Sequence, residues 1–298
     1  MKNYHKVLSN NNQVTCRFSS INESTAKVNN NFSLKFVLAG CKVYQIKKRK
    51  LSIYPDYFLP IKKGTLYSNI TSLGTHAQEL SIGFDNLFIK DFEKSCLQSD
   101  KQLLDNNINK SIKADEFTEN IYPFKGNLKY NIGNLKAQID LNIQDELLLN
   151  EYLYHCLTNY YTLYKQEVFA KVEKLHFLHL STRNEIYRRL SLAKEFIYTN
   201  YDQNIVLEQI ASYSCLSVNH LLRTFKQAFN QTPHQFLTQI RLQRSLFLLK
   251  NSKYPINEIV MMMGFDSSSS FIRLFKQKYY TTPLAYRSRF KSKNQFYI

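Results

Sequence analysis

Leu222-Arg223-Thr224-Phe225-Lys226 and Ile272-Arg273-Leu274-Phe275-Lys276 are one phrase written twice, and its reading decides the fold of the C-terminal part of the chain. Arg, Phe and Lys recur at an offset of 50 residues, as does the proline of the steps Thr232-Pro233 and Thr282-Pro283. Each Phe-Lys pair is followed three residues on by an aromatic, Phe229 or Tyr279. A shorter apolar stretch precedes each copy, Leu207-Glu208-Gln209-Ile210-Ala211 and Ile256-Asn257-Glu258-Ile259-Val260, separated from the phrase by a turn of small residues. Short helix, tight turn, longer basic helix is the helix-turn-helix plan. Two units in tandem predict a reader of DNA.

In the first unit the long helix is expected to start at Ser217, whose hydroxyl can accept a free backbone N–H of the first turn. Val218, Leu221, Leu222, Phe225, Ala228 and Phe229 fall on one face at helical spacing, and Asn219, His220, Arg223, Lys226 and Gln227 on the other. In the second unit Phe271, Leu274, Phe275 and Tyr279 form the buried set, which leaves Ser268, Ser269, Ser270, Arg273, Lys276 and Gln277 outward. Gly264 sits where a residue of positive φ can end the short helix. Between the units, Pro233 to Lys250 reads as one helix with Thr232 as cap, Pro233 first and Gln235 completing a capping box. Its apolar positions are Phe236, Leu237, Ile240, Phe247 and Leu248. A rod of roughly 25 Å suits two readers held about one DNA turn apart.

The pattern Ile210-Ala211, Leu216-Ser217, Leu221, Arg223, Phe225-Lys226, Thr232-Pro233, Arg241, Leu248-Leu249, Glu258-Ile259, Gly264-Phe265, Phe271, Arg273, Phe275-Lys276, Pro283, Tyr286-Arg287 resembles the DNA-binding domain of AraC-type transcription regulators. Asn230 and Tyr280 stand where that family usually has Gly, and Val260 where it has Ala. The resemblance implies base-facing residues Asn219, Leu222 and Arg223 in the first unit, and Ser268, Ser269, Ser270 and Arg273 in the second. Leu222 then has two readings: buried by helical spacing, or set against a thymine methyl. The resemblance also implies a regulator, more often an activator than a repressor.

At 298 residues the chain has room for two domains, each with its own core. The net charge of +17 is uneven: residues 181–298 hold 17 Lys+Arg against 6 Asp+Glu, residues 1–180 hold 23 against 17. A basic C-terminal part suits a polyanion, and the repeated phrase selects nucleic acid over a membrane surface. Five cysteines, at 16, 41, 96, 156 and 215, form no CxxC and no zinc spacing with His, which predicts a reduced, cytoplasmic protein. Neither a signal peptide nor a long apolar run is found, so no membrane partner is expected.

From Val14 to Phe92 short alternating stretches predict a small β-sandwich or barrel: Leu34, Phe36 and Leu38; Leu51 and Ile53; Leu80, Ile82 and Phe84. Lys47-Lys48-Arg49-Lys50 reads as a hairpin tip, or else as an auxiliary DNA contact, and Tyr57-Phe58-Leu59-Pro60 as a strand before a turn at Lys63-Gly64. The order F-x-L, Y-x-I, L-x-I-x-P-D-Y-F-L from Phe36 to Leu59 resembles the cupin-like sensory half of many AraC-type regulators. A cupin enzyme needs a metal held by several His and a carboxylate, whereas this region offers only His5 and His76. No catalytic residue, metal site or cofactor is therefore expected. Tyr44, Tyr54, Tyr57 and Tyr67 read as sheet packing or as the lining of a small-molecule pocket. Residues 100–135, rich in Asn and Lys with Pro123, Gly126 and Gly133, read as short elements and loops. From Asp145 an apolar period through Leu149, Leu153, Cys156, Tyr160, Leu163 or Tyr164, Val168, Val172 and Leu175 predicts a long linking helix, packed on its own β domain or against a second copy of the chain. His176 and His179 near its end are too few to hold a metal. Ile186, Leu190, Ala193 and Ile197 point inward from the next helix, with Arg183, Arg188 and Arg189 flanking phosphate or capping the domain.

The expectation is an α+β chain: a β-rich cupin-like sensory domain (1–140), a linking helix with dimer potential (141–182), and an all-α double helix-turn-helix domain (183–298). Double-stranded DNA is the expected partner, with RNA polymerase and a second copy as further candidates and the effector unnamed. The competing class is a small-molecule-binding or catalytic β domain with secondary DNA binding, as in repair proteins, for which Cys16, Cys41 and Cys96 are too dispersed.

Overall fold

A computed structural model describes residues 3–19, 25–47, 49–71, 77–103 and 119–291. Lys48, His76 and residues 104–118 lie outside the described residues, as does the side chain of Cys96. The chain forms two compact units, Met1–Ala170 and Lys171–Ile298.

The first unit is β-rich, as expected. Strands β1 (Tyr4–Val7), β2 (Gln13–Ser19), β4 (Phe32–Ala39), β7 (Tyr57–Ile61), β9 (Ala77–Phe84) and β10 (Tyr122–Pro123) form one antiparallel sheet in the order β1-β2-β9-β4-β7-β10. A second sheet runs β3 (Lys27–Val28), β8 (Leu66–Thr71), β5 (Lys42–Ile46), β6 (Arg49–Ile53). Val37, Leu59 and Ile61 of the first sheet share a core with Tyr44, Ile46, Leu51, Ile53 and Tyr67 of the second. Tyr44 and Tyr67 are therefore sheet packing, their ring centroids 6.1 Å apart. The lysine-rich hairpin is present, but Arg49 and Lys50 are already in β6 and Lys47, at φ 55°, makes the turn.

Alternation along β4 was expected and is not found: Ser33 through Val37 are all buried. The larger sheet is covered on both faces, so polar and apolar positions alike lose contact with water. Phe36 stacks on Phe58 (5.1 Å) and meets Phe124 (4.9 Å) on the face away from Val37. Helix α3 (Glu146–Tyr164) covers that face, placing Tyr160 5.7 Å from Phe32 and 6.2 Å from Phe58. The polar residues of the other face are internally satisfied. Lys42 pairs with Glu79, and Lys35 donates to Ser81 at 2.7 Å.

Helix α1 (Asn86–Leu103) follows the sheet, and α2 (Gly126–Asp140) is one regular helix where short elements and loops were expected through residue 135. The two glycines misled: Gly133 faces open space inside the helix, while Leu128, Ile132, Leu135 and Ile139 recur at helical spacing and are buried. The linking helix continues from α3 through a π turn (Lys165–Phe169) into α4 (Ala170–Glu173).

The second unit is all helix: α5 (Leu180–Thr199), α6 (Leu207–Tyr213), α7 (Val218–Phe229), α8 (Pro233–Asn251), α9 (Ile256–Met262), α10 (Ser268–Tyr279) and α11 (Pro283–Lys291). Leu190, Ala193 and Ile197 of α5 are fully buried, as are Leu221, Phe225 and Ala228 of α7. The capping box that opens α8 is reciprocal: Thr232 N–H donates to Gln235 Oε1 (2.9 Å) and Gln235 N–H to Thr232 Oγ1 (3.2 Å). Phe247, expected inward, is 49% exposed. Helix α8 serves both helix-turn-helix units, so its buried positions, Phe236, Leu237, Ile240, Leu242, Arg244, Ser245 and Leu249, spread over several faces.

Asn230 and Tyr280 cap α7 and α10 in the left-handed region, both at φ 55°. Tyr280 is 91% exposed and gains no packing for that backbone. Tyr280→Gly should therefore stabilise the unit by up to about 1 kcal/mol, since a left-handed side chain costs about 1–2 kcal/mol and glycine's extra entropy returns about half. Gly264→Ala should do the opposite. At φ 73° an added Cβ would lie 2.8 Å from Arg241 Nη2 and 2.9 Å from the Asp202 carbonyl oxygen. A loss of about 1–3 kcal/mol in urea unfolding is expected.

Candidate nucleic-acid interface

Each helix-turn-helix unit is closed by backbone and side-chain hydrogen bonds at its turn. In the first, Leu216 N–H returns to the Ala211 carbonyl (2.9 Å), Ser214 Oγ donates to the Ile210 carbonyl (2.8 Å), and Cys215 takes φ 54°. In the second, Phe265 N–H returns to the Val260 carbonyl (3.1 Å) and Gly264 supplies the positive φ. The long helices then start on serine caps: Ser217 Oγ accepts from His220 N–H (3.3 Å), Ser267 Oγ from Ser270 N–H (3.2 Å).

The apolar faces of the two helices repeat one another. Phe225 lies 4.6 Å from Phe229 and 5.8 Å from Phe236. Phe275 lies 4.7 Å from Tyr279 and 5.9 Å from Tyr286. In both units the third ring comes from the helix that begins at the Thr-Pro step.

With those rings inward, Asn219, Arg223 and Lys226 of α7 are exposed, and so are Ser269, Ser270, Arg273 and Lys276 of α10. Leu222, Gln227 and Ser268 are half-buried. The Ser268 hydroxyl donates to Asn257 Oδ1 of α9 (3.0 Å), so it is already engaged within the unit. His220 is also half-buried: its ring lies edge-on to Phe177 at 6.0 Å, and its Nε2 is buried with no hydrogen-bond partner. Burial, with Arg223 and Arg189 nearby, holds that imidazole below its ordinary value of 6.5.

Among the described residues, none of Arg223, Lys226, Arg273 or Lys276 has a carboxylate partner, so their charges are free to meet an anion. Five arginines of the unit are committed elsewhere. Glu185 accepts from Arg188 and Arg189, both at 2.8 Å, and Arg189 also donates to the Cys215 carbonyl (2.9 Å), tying α5 to the first turn. The Arg188 hydrogen bond is the main reason Glu185 stays at about 2. Arg241 donates to the carbonyls of Tyr201 (2.7 Å) and Gln203 (2.8 Å), and its guanidinium stands 5.7 Å from the Phe265 ring. Arg244, which the periodicity did not single out, is buried against Tyr198, and Arg287 donates to the Tyr254 carbonyl (2.7 Å). A cation recurring on the buried side of an amphipathic helix was the available signal for Arg244.

Among the described residues no cluster of His, Cys, Asp or Glu is arranged to hold a metal ion, and no helix is long and apolar enough to cross a membrane.

Two similar helix-turn-helix units with outward, unpaired cations define a DNA-binding domain. A family model described as a helix-turn-helix domain matches residues 210–289. The chain is 35% identical over 99 residues to the HTH-type transcriptional regulator YdeC of Bacillus subtilis, covering 33% of this chain and 34% of that protein. It is 28% identical over 165 residues to the lactose operon transcription activator of Staphylococcus xylosus, covering 55% of each. A solved AraC-type DNA-binding-domain protein from Chromobacterium violaceum is 26% identical, with 35% of this chain and 92% of that chain covered and a TM-score of 0.33. The chain thus spans between about a third and about half of the length of the curated relatives it matches. Residues 210–289 are a helix-turn-helix domain of the AraC type.

The His220 environment gives a pH dependence whose sign is fixed. Its folded value is lowered, so the unfolded chain binds the proton more readily, and the stability contributed by the neutral ring is intact above 6.5 and lost as pH falls through the lowered value. Between about pH 7 and about pH 5, His220→Gln should lose less stability than the unaltered chain. An imidazole titration of His220 by NMR at or above 6.5 would contradict this.

Proposed function

We propose that the protein is a sequence-specific DNA-binding transcription activator and not an enzyme, with α7 and α10 entering neighbouring major grooves of one duplex. The carrying observation is that Arg223 and Lys226, and Arg273 and Lys276, stand exposed and unpaired at matching positions of two similarly capped helices. Arginine can donate two hydrogen bonds to guanine O6 and N7, whereas lysine suits phosphate as a point charge. On this reading Asn219, Arg223, Ser269, Ser270 and Arg273 face base edges, with Lys226 and Lys276 on phosphates. Leu222 is assigned to a thymine methyl, while Gln227, Ser268 and His220 act from the flanks. The 19 residues of α8 make a rod of roughly 28 Å, close to one DNA turn of about 34 Å.

Activation is supported by the name of the Staphylococcus xylosus relative, and it makes RNA polymerase a further partner. Residues 1–140 serve as the sensory half, 141–182 as the connection and dimer contact, and 183–298 as the reader. A site of action in the cytoplasm follows from that role.

Site selection from random DNA by the full chain supplies the cognate sequence. Arg223→Ala should then cost about 1–3 kcal/mol there and relax discrimination at one base position, read by anisotropy titration on single-base variants. A loss equal on every variant would place the residue on phosphate instead. Lys226→Ala should weaken all sequences alike and reduce the salt slope by about one.

A further inference from the structure

The segment that enters the second unit lies along its first recognition helix. Lys171 Nζ stands 5.4 Å from the Phe229 ring, near the C-terminal end of α7. Phe177 lies against His220, near the N-terminal end. The two contact points on α7 are nine residues apart, roughly 13 Å along the axis. Val172 and Leu175 between them are 1% and 2% exposed, and the bonds Leu175 N–H to the Val172 carbonyl (3.1 Å) and Phe177 N–H to the Leu175 carbonyl (3.0 Å) curl the segment. Its first residues belong to α4 (Ala170–Glu173), which follows the π turn at Lys165–Phe169, a geometry often found at functional positions.

We propose that residues 171–179 are a strap that sets the seat of α7, with Phe177 acting through His220 as a positioning residue for base reading by Asn219 and Arg223. The proposal rests on the reading of α7 as a base reader. His220 follows Asn219 directly and precedes Arg223 by three residues, so it sits about 60° beyond Arg223, on the flank of the face that Asn219 and Arg223 share. Its main-chain N–H is capped by Ser217 and its carbonyl accepts from Thr224 Oγ1 (2.6 Å), but its ring Nε2 has no polar partner. Packing against Phe177, and not a hydrogen bond, holds the ring. The core rings of α7 fix its depth. A contact on the flank restrains rotation about the helix axis, and an arginine tip, far from that axis, moves most when the helix turns.

The test uses the full chain on its selected site and all single-base variants. Phe177→Ala should weaken binding about tenfold. It should relax the base positions that Arg223→Ala relaxes and leave unchanged those that Arg273→Ala relaxes. Phe177→Tyr, which keeps the ring, should behave as the unaltered chain. A loss spread evenly over all positions, or discrimination unchanged at the Arg223 position, overturns the strap. Should Phe177→Ala fail to fold by circular dichroism, Phe177→Leu and His220→Gln face the same two outcomes with a smaller change in volume. An unaltered chain that selects no site overturns the reader assignment itself, and the strap with it.

Discussion

Burial of one phenylalanine in each unit, Phe225 in α7 and Phe275 in α10, is the constraint on which the rest depends. Both rings are fully shielded from water. With a helix turning about 100° per residue, the arginine two residues before each ring is carried about 200° away and the lysine one residue after it about 100° away. Driving the ring into the core thus aims both cations outward, at the same angles in both copies. The hydrophobic effect does the pointing, and no specific polar contact is needed to hold Arg223 or Arg273 toward solvent. The repeated triads, Phe225 with Phe229 and Phe236 and Phe275 with Tyr279 and Tyr286, lock this orientation by drawing the following helix onto the same ring.

Orientation of each helix is not yet orientation of the pair. Arg241, on the helix between the units, meets this second need. It bonds the Tyr201 and Gln203 carbonyls that precede α6, and its guanidinium stands over Phe265 in the turn before α10. A planar group with several donors can do both, whereas an ammonium cannot combine the carbonyl pair with the ring face. Gly264 completes the arrangement, since a Cβ there would enter the space of that guanidinium. Local backbone geometry at the second turn and the packing between the two helix-turn-helix units therefore meet at the same pair of residues.

What was legible in the sequence divides along physical lines. Helix-turn-helix elements announce themselves through short-range signals: Ser217 and Thr232 as caps, Pro233 at a helix start, Gly264 at a stop, and rings at intervals of three and four. These act within one or two turns, and the structure keeps them. The β-rich unit was legible as strands, but β4 did not keep its expected alternation because α3, distant in sequence, covers the second face of its sheet. Helix α2 was hidden behind Gly126 and Gly133, whose turn propensity is outweighed by the burial of Leu128, Ile132, Leu135 and Ile139. Phe247 was misassigned for a related reason: α8 is packed by both units, so a single apolar stripe is the wrong template. On the candidate interface, periodicity placed His220 outward with Asn219 and Arg223, but the neighbour that turns its ring aside is Phe177, more than forty residues earlier. Long-range contacts of this kind leave no local trace.

The basic excess of the C-terminal part illustrates the same limit. Charge counted from sequence predicts a polyanion partner, yet Arg241, Arg244 and Arg287 are turned to carbonyl oxygens and tyrosines inside the unit, and Arg188 and Arg189 to Glu185. An arginine turned to main-chain carbonyls inside the unit keeps its formal charge, so it adds to the long-range field without making a contact. Among the described residues, Arg223 and Lys226 of α7 stand in register with Arg273 and Lys276 of α10 and have no carboxylate partner, and Lys278 is a further exposed lysine of α10 without a counterpart in α7. On the proposed function, attraction to DNA in general and discrimination among sequences have different origins in this unit. The first scales with the whole basic count, and the second is proposed to rest on Arg223 and Arg273, which the two buried phenylalanines leave facing out.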